Sequence, residues 1–246
     1  MEKEIFLSVI IPAYNEEKRI APTLLAADGW LSKQGFSYEI LVVNDGSTDK
    51  TKEVVENIAR KSGHIKLIDN FQNQGKGAVV KQGMLAAKGK WRLFMDADNS
   101  TTIDHFEKMI PFIEKGYDVI IGSRDPKDAK GAKQAVKQPF LKIVLGNIGN
   151  LIIQILAVPG IWDTQCGFKC FSARATTDIF PRLLVRRWAF DVEALFLAKK
   201  LGYKIGIIPV YWRNDPNSHV GWKGYLISLK EVLQIRINAW KGKYNF

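Results

Sequence analysis

Cysteine and histidine are scarce in this 246-residue chain, with two and three copies. Cys166 and Cys170 are spaced too far apart for a Cys-x-x-Cys pair and have no histidine nearby. That excludes a zinc ribbon or a disulfide framework and fits a reducing cytosol. His64, His105 and His219 fall at expected loop or helix-start positions, so no histidine stands out as an acid or base. The N-terminus has charged residues and then a short apolar run ending at Pro12, which is neither a signal peptide nor a spanning segment. Internal repeats and low-complexity tracts are also missing. Acidic charge is in deficit, with 25 Asp and Glu against 36 Lys and Arg, a net charge of +11. Such a balance points to an anionic partner: nucleic acid, an anionic membrane surface or a phosphorylated substrate. With 46% hydrophobic residues, the chain can bury the core of one substantial domain, or of a domain with an appendage.

What is present follows a repeated texture. Leu7 to Pro12 is an apolar, β-branched run, followed by the loop Ala13-Tyr14-Asn15-Glu16-Glu17 and a helix expected from about Lys18 to Lys33. Tyr38 to Asn44 repeats the pattern and runs into Asp45-Gly46-Ser47-Thr48-Asp49, where Thr48 or Asp49 can cap a helix continuing to about Lys61. A strand at Ile65 to Asp69, a helix at Gly77 to Ala87, a strand from Trp91, a helix at Asp104 to Lys115 and a strand at Asp118 to Gly122 follow. This alternation predicts an α/β class domain with a mainly parallel central sheet covered on both faces. Ligands of such sheets sit beyond the C-terminal strand ends. Tyr14 to Glu16, Asp45 to Asp49, Asp96 to Ser100 and Ser123-Arg124 are therefore expected on one edge.

From Asp125 the texture changes. Asp125 to Lys133 is charged, marked by Pro126 and Gly131, and expected to be mobile. Phe140 to Val158 is apolar but broken by Lys142, Gly146, Asn147, Gly149, Asn150 and Gln154, which favours a buried or interface-lying helix pair over a membrane span. Asp163 to Phe171 reads as a turn entering a strand, Ala189 to Leu201 as a helix, Lys204 to Pro209 as a last strand and Trp222 to Trp240 as a C-terminal amphipathic helix. Trp222, Tyr225 and Trp240 mix there with Lys223, Lys230, Arg236, Lys241 and Lys243, which suits a membrane headgroup layer or an ordinary solvated helix.

The segment Trp91 to Ser100 organises the rest. Its apolar run stops at Asp96 and Asp98, which point the same way if the chain stays extended. Two hard oxygen donors suit Mg²⁺ or Mn²⁺ shared with a diphosphate. As a bare string, Asp-Ala-Asp-Asn-Ser also suits a turn and a helix cap. Arg124, directly after a strand, suits bidentate phosphate binding or a salt bridge to Asp98 or Asp125.

The strings Val9-Ile10-Ile11-Pro12-Ala13-Tyr14-Asn15-Glu16, Val43-Asn44-Asp45-Gly46-Ser47, Asp96-Ala97-Asp98, Gly122-Ser123-Arg124 and Asp163-Thr164-Gln165-Cys166-Gly167-Phe168-Lys169 resemble the glycosyltransferase family 2 enzymes that load a sugar onto a polyprenyl phosphate. The fifth string, with Arg187-Trp188-Ala189-Phe190-Asp191-Val192-Glu193, looks most like the dolichyl-phosphate β-glucosyltransferase branch. The resemblance implies a GT-A (Rossmann-like) domain over 1–212, within which 125–162 forms an acceptor loop and apolar helical segment, and a C-terminal helix over 213–246. It implies an inverting, metal-dependent hexosyltransferase using UDP-glucose, with GDP-mannose as the alternative donor and a saccharide hydroxyl as the alternative acceptor. Ser100 stands where mannosyl-transferring relatives tend to have Gln, which favours glucose.

Implied roles follow. Asp96 and Asp98 hold Mg²⁺ or Mn²⁺; Asp98, Arg124 and Asp163 are catalytic. Pro12, Ala13, Tyr14, Glu16, Val43, Asp45, Gly75, Lys76, Asp96, Ala97, Asp98 and Arg124 bind the nucleotide sugar, Asp45 through a base N–H. Lys133, Lys137, Gln165 and Lys169 bind the acceptor, and the series Lys127, Lys130, Lys133, Lys137, Lys142 steers a lipid phosphate on an anionic membrane. Relatives usually carry arginine where Lys133 and Lys137 stand. A phosphate acceptor is already ionised and requires no protein base, whereas a hydroxyl acceptor would require Asp163 or Asp191. Glu193 reads as a helix-start acid favoured by the dipole. A nucleic-acid-binding module would need basic and aromatic residues along a sheet face, against which the uniformly apolar strands argue. The family's endoplasmic-reticulum members begin with a spanning segment not seen here, which points to a prokaryotic, cytoplasmic protein peripheral on the inner face of the membrane.

Overall fold

Strands Leu7–Ala13 (β1) and Tyr38–Asp45 (β2) are buried at every position, as their continuous apolar runs require of strands covered on both faces. The computed structural model describes residues 4–134, 149–213 and 222–246. With Ile65–Asn70 (β3), Trp91–Met95 (β4), Val119–Ser123 (β5), Phe168–Ser172 (β7) and Ile205–Pro209 (β8), these strands form a seven-stranded sheet in the order β3-β2-β1-β4-β7-β5-β8. Alternate residues feed opposite cores. Ile10, Val43, Phe94 and Phe171 join one, together with residues of helices Lys76–Ala86 (α3), Ala173–Ile179 (α6), Phe190–Lys200 (α7) and Trp222–Trp240 (α8). Val9, Ile11, Val42, Leu93, Met95 and Phe168 join the other, with residues of helices Ile20–Leu31 (α1) and Thr51–Ala59 (α2).

The expected parallel ladder holds throughout except at β7, which lies antiparallel between β4 and β5. This orientation brings the entrance of β7 to the edge where β4 and β5 end: Met95 pairs with Phe168, and the Asp96 N–H donates to the Gly167 carbonyl at 3.2 Å.

Two local expectations are corrected. Asp104 to Lys115 is a 3-10 turn over Ile103–Met109 followed by a short helix, Ile110–Glu114 (α4), because Pro111 has no N–H to continue a regular ladder. Asp125 to Lys133 is tied down. The Asp128 carboxylate accepts from Ser123 Oγ at 2.8 Å and from the N–H groups of Trp162 and Asp163 at 2.7 Å each. The Lys127 ammonium sits 3.8 Å above the Trp162 ring, and Lys133–Gln134 (β6) pairs with Tyr211–Trp212 (β9). Glu193 lies in the first turn of α7 as expected, and its carboxylate also makes tertiary bonds, accepting from Leu184 N–H, Val185 N–H and the Tyr244 hydroxyl. Residues 149–156 are helical (α5), and residues 135–148, which include Lys137, Lys142 and most of the expected helix pair, lie outside the described residues.

At the opposite edge of the sheet, buried Glu39 accepts from Ser8 Oγ at 2.7 Å, Lys88 N–H at 2.8 Å and Lys66 Nζ at 3.0 Å. Burial alone would raise its carboxyl, but these donors hold it below the ordinary 4.5. A depressed acid stabilises the fold above its unfolded value, and that stability is lost as pH falls through the folded one. Glu39→Gln should therefore cost about 1–3 kcal/mol at pH 7, with the difference shrinking below pH 4.5. Urea unfolding of both proteins at pH 7 and pH 4 checks this, and donor binding should be unaffected.

Candidate active site

All four polar clusters meet along the edge formed by the C-terminal ends of β1, β2, β4 and β5. Ala13 and Asn44 are register partners, and the Asn15 N–H donates to Ser47 Oγ at 2.9 Å, which fastens the first two loops together. Pro12, Ala13 and Val43 are buried, Tyr14 is exposed, and Glu16 is paired with Arg19 at 2.6 Å. Ala97 accepts from Thr23 Oγ1 at 2.6 Å, which anchors the acid loop to α1.

Asp45 is oriented toward the next loop. Its Oδ1 accepts from Gln74 N–H at 2.6 Å and its Oδ2 from Gly75 N–H at 3.0 Å. Burial pushes its carboxyl up, against the pull of those donors and of Arg187. Gly75 has φ +96°, and an added Cβ would lie 2.5 Å from the Arg186 carbonyl oxygen, so this position accepts only glycine. The start of α3 is pinned by Gly77 N–H to Arg187 O at 3.1 Å and Ala78 N–H to Arg186 O at 3.0 Å. These bonds aim Lys76 inward, and its Nζ meets Asp96 Oδ1 at 2.6 Å. Burial would lower the Lys76 ammonium, but Asp96, Asp191 and Asp98 together keep it above its ordinary value.

Asp98 accepts from the Ser100 N–H at 2.9 Å, with Asn99 at φ +55° making the turn. Burial, followed by the charge of Asp96, pushes the Asp98 carboxyl up. Asp96 and Asp98 are thus oxygen donors crowded at one place, a pairing that a cation relieves. Among the described residues no group of three or more His, Cys, Asp or Glu forms a complete metal cage. That donor set fits Mg²⁺ or Mn²⁺, which take one or two protein carboxylates and complete their shells from phosphate and water.

Arg124 and Asp163 form a fork: Nε meets Oδ2 and Nη2 meets Oδ1, each at 2.8 Å, while the Arg124 N–H also donates to Oδ2 at 2.8 Å. Burial would raise the Asp163 carboxyl, yet Arg124 holds it below the usual range. The partner of Arg124 is neither Asp98 nor Asp125. Its guanidinium also lies 5.2 Å from the Trp212 ring.

Lys169, expected at the acceptor, is corrected. It is 0% exposed, its ammonium donates to the Cys166 carbonyl and to Asp191 Oδ1 at 3.0 Å, and it faces the Phe94 ring. A side chain sealed in this way supports the site from beneath. Asp191 is buried too, and burial pushes its carboxyl up in spite of Lys169 and Lys76. Gln165 Nε2 donates to Ser228 Oγ of α8 at 3.0 Å, and Lys133 is exposed on β6. Cys166 is buried, and burial pushes its thiol up to about 12, which leaves it a packing residue.

Several supporting residues gave no signal on their own. Gly167 belongs to a matched string, but its need is visible only in three dimensions: an added Cβ would lie 2.0 Å from Asp96 Oδ2. Asp128 reads as one more loop charge, and Glu231 as one more helix charge. The Arg213 N–H donates to the Ser100 carbonyl at 2.9 Å, which ties the end of β9 to the acid loop. Glu231 Oε2 accepts from Trp188 N–H and Ala189 N–H at 2.9 Å each, so α8 holds the segment whose carbonyls pin the Lys76 loop. Glu231→Ala should lower stability by about 1–3 kcal/mol. It should also raise protection loss in the segment over 184–189 and the loop over 73–78, read by amide hydrogen exchange.

Comparison with known proteins bears on the family and the fold. The family model described as glycosyl transferase family 2 matches residues 8–180. A dolichyl-phosphate beta-glucosyltransferase of Trichomonas vaginalis is 38% identical over 245 residues, covering 95% of this chain and 72% of its own. The protein of the same name from Saccharomyces cerevisiae is 37% identical, covering 99% of this chain and 78% of its own. Glucosyl-3-phosphoglycerate synthase from Mycobacterium tuberculosis, solved with Mn²⁺, UDP-glucose and phosphoglyceric acid, superposes with a TM-score of 0.68 at 15% identity, over 95% of this chain and 79% of that one. It shares the GT-A fold. With a family model over most of its length and relatives this similar, the chain belongs to glycosyltransferase family 2 and is a glycosyltransferase.

Proposed function

We propose that this enzyme transfers glucose from UDP-glucose to a dolichyl-type polyprenyl phosphate, with inversion at C1. The observation that carries the choice of acceptor is the commitment of the nearby acids: Asp163 is forked to Arg124, Asp191 is bound to Lys169, and Asp96 is bound to Lys76. A hydroxyl acceptor would need one of them as a base. A phosphate monoester, with its second pKa near ~6, arrives as its own nucleophile. The names of the curated relatives support the same acceptor and sugar.

In this reading the acceptor phosphate oxygen forms the bond to C1 as the bond from C1 to the diphosphate breaks, and UDP departs. The walls of Pro12, Ala13 and Val43 and the exposed Tyr14 flank the nucleoside. Asp45 acts by shaping the Gln74 to Lys76 loop beneath the donor, and Lys76 and Arg124 face the diphosphate. A divalent cation held by Asp96 and Asp98 would stabilise the charge that grows on the leaving group. Gly167 leaves the space in which Asp96 sits, and Lys169 keeps Asp191 compensated below it. Lys133, with Lys137 beyond the described residues, supplies positive charge for the acceptor. The decisive assay pairs UDP-glucose and GDP-mannose with one short polyprenyl phosphate. UDP-glucose should be turned over at least tenfold faster, and Asp98→Asn should abolish turnover; preference for GDP-mannose would overturn the donor assignment.

Among the described residues no helix is long and apolar enough to cross a membrane. The surface of α8 supports peripheral attachment. Ile227, Leu233, Ile237 and Trp240 are exposed on it, Trp240 to 74%, beside the exposed Lys230 and Lys241. The only acid between Trp222 and Phe246 is Glu231, which is spent on Trp188 and Ala189. An apolar face with a single sign of charge suits the interface of an anionic bilayer, at about 1 kcal/mol per basic residue. Trp240→Ala with Lys241→Gln should cut sedimentation with phosphatidylglycerol-containing vesicles several-fold, while leaving turnover of a short, soluble acceptor unchanged.

A further inference from the structure

Lys76 and Asp96 form an ion pair where the reading above sets a cation, and both remain reachable, with side chains 27% and 31% exposed. The backbone on either side of the pair is closely held. Gly75 is wedged under the Arg186 carbonyl, Gly77 and Ala78 are bonded to Arg187 and Arg186, and Gly167 closes on the other oxygen of Asp96. Of this contact the Lys76 side chain has the greater freedom to move, since a lysine stem carries four rotatable bonds and its ammonium binds as a point charge.

Charge counting shows why it would move. Asp96, Asp98, Asp163 and Asp191 bring four negative charges, and Lys76, Arg124 and Lys169 bring three positive ones, so the cluster carries one uncompensated negative charge. Lys76 interacts with three of those acids, Asp96, Asp191 and Asp98. A divalent ion on Asp96 and Asp98 would turn the excess to one positive charge, and it would bring a second cation to the carboxylate that Lys76 already holds. A diphosphate arriving with the ion offers the ammonium a second anionic partner.

Resting on the reading that Asp96 and Asp98 hold the divalent ion, we propose that Lys76 is an exchangeable counter-ion. It occupies Asp96 while the donor is absent, opposes entry of the metal alone, and passes to the diphosphate when metal and nucleotide enter together. Metal and nucleotide binding are thereby coupled, and the coupling is reciprocal. A nucleotide-free enzyme would hold little free Mg²⁺ or Mn²⁺, and UDP would raise metal affinity through this one side chain.

Mn²⁺ titration followed by electron paramagnetic resonance, with and without UDP, tests this on the unaltered 246-residue chain, Lys76→Met, Lys76→Arg and Asp96→Asn. Wild type should bind Mn²⁺ weakly alone and at least tenfold more tightly with UDP. Lys76→Met should bind Mn²⁺ about tenfold more tightly than wild type without UDP, and most of the gain from UDP should vanish. Lys76→Arg, which keeps the charge, should resemble wild type. Unchanged or weaker Mn²⁺ binding by Lys76→Met, with Asp96→Asn still abolishing it, would overturn the exchange alone. Undiminished binding by Asp96→Asn would overturn the metal-site reading and the exchange with it.

Discussion

The antiparallel ladder between β4 and β7 is the constraint from which the active edge follows. Because β7 runs against its neighbours, its entrance lies beside the exit of β4, and the turn over Asp163 to Gly167 reaches the acids of the Asp96 loop. A parallel strand at that place would have sent the turn to the far edge, beside Glu39. The register then does the rest. Met95 opposite Phe168 sets Gly167 against Asp96, and Ile121 opposite Lys169 lets Arg124 emerge where Asp163 can take it.

Bringing acids together in this way raises an electrostatic problem, since buried carboxylates favour protonation unless they are compensated. The chain answers with cations of three kinds. Lys169 is sealed beneath the site, Arg124 is forked and rigid, and Lys76 is partly exposed. The first is fixed by enclosure and the second by its two-pronged contact with Asp163. A rigid frame matches the needs of phosphate chemistry, where groups that meet developing charge act by being held in place beforehand.

Support also arrives from the far end of the sequence. Glu231 of α8 and the Tyr244 hydroxyl, through Glu193, hold the segment from Leu184 to Ala189, whose carbonyls in turn cap α3 and set the direction of Lys76. The basic, apolar outer surface of α8 and the donor loop are thus connected through a short series of hydrogen bonds. An element that reads as an appendage in composition is part of the mechanical frame of the site.

The amino-acid sequence by itself determined the strands, the helices that cover them and the edge on which the polar loops gather. Those properties follow from local apolar runs and from the rule that parallel strands end on one side. The Asp96-Ala97-Asp98 break and Arg124 were legible for the same reason, since both directly follow a buried strand. The partners were not legible. That Arg124 takes Asp163 and not Asp98, that Lys169 is buried under Asp191, that Asp128 pins the stretch expected to be mobile, and that Glu231 holds Trp188 and Ala189 ahead of α7 all depend on residues about 22 to 43 positions apart. Tertiary structure decided them, because a charge is read locally as solvated until the orientation of a strand such as β7 supplies it with a counter-charge.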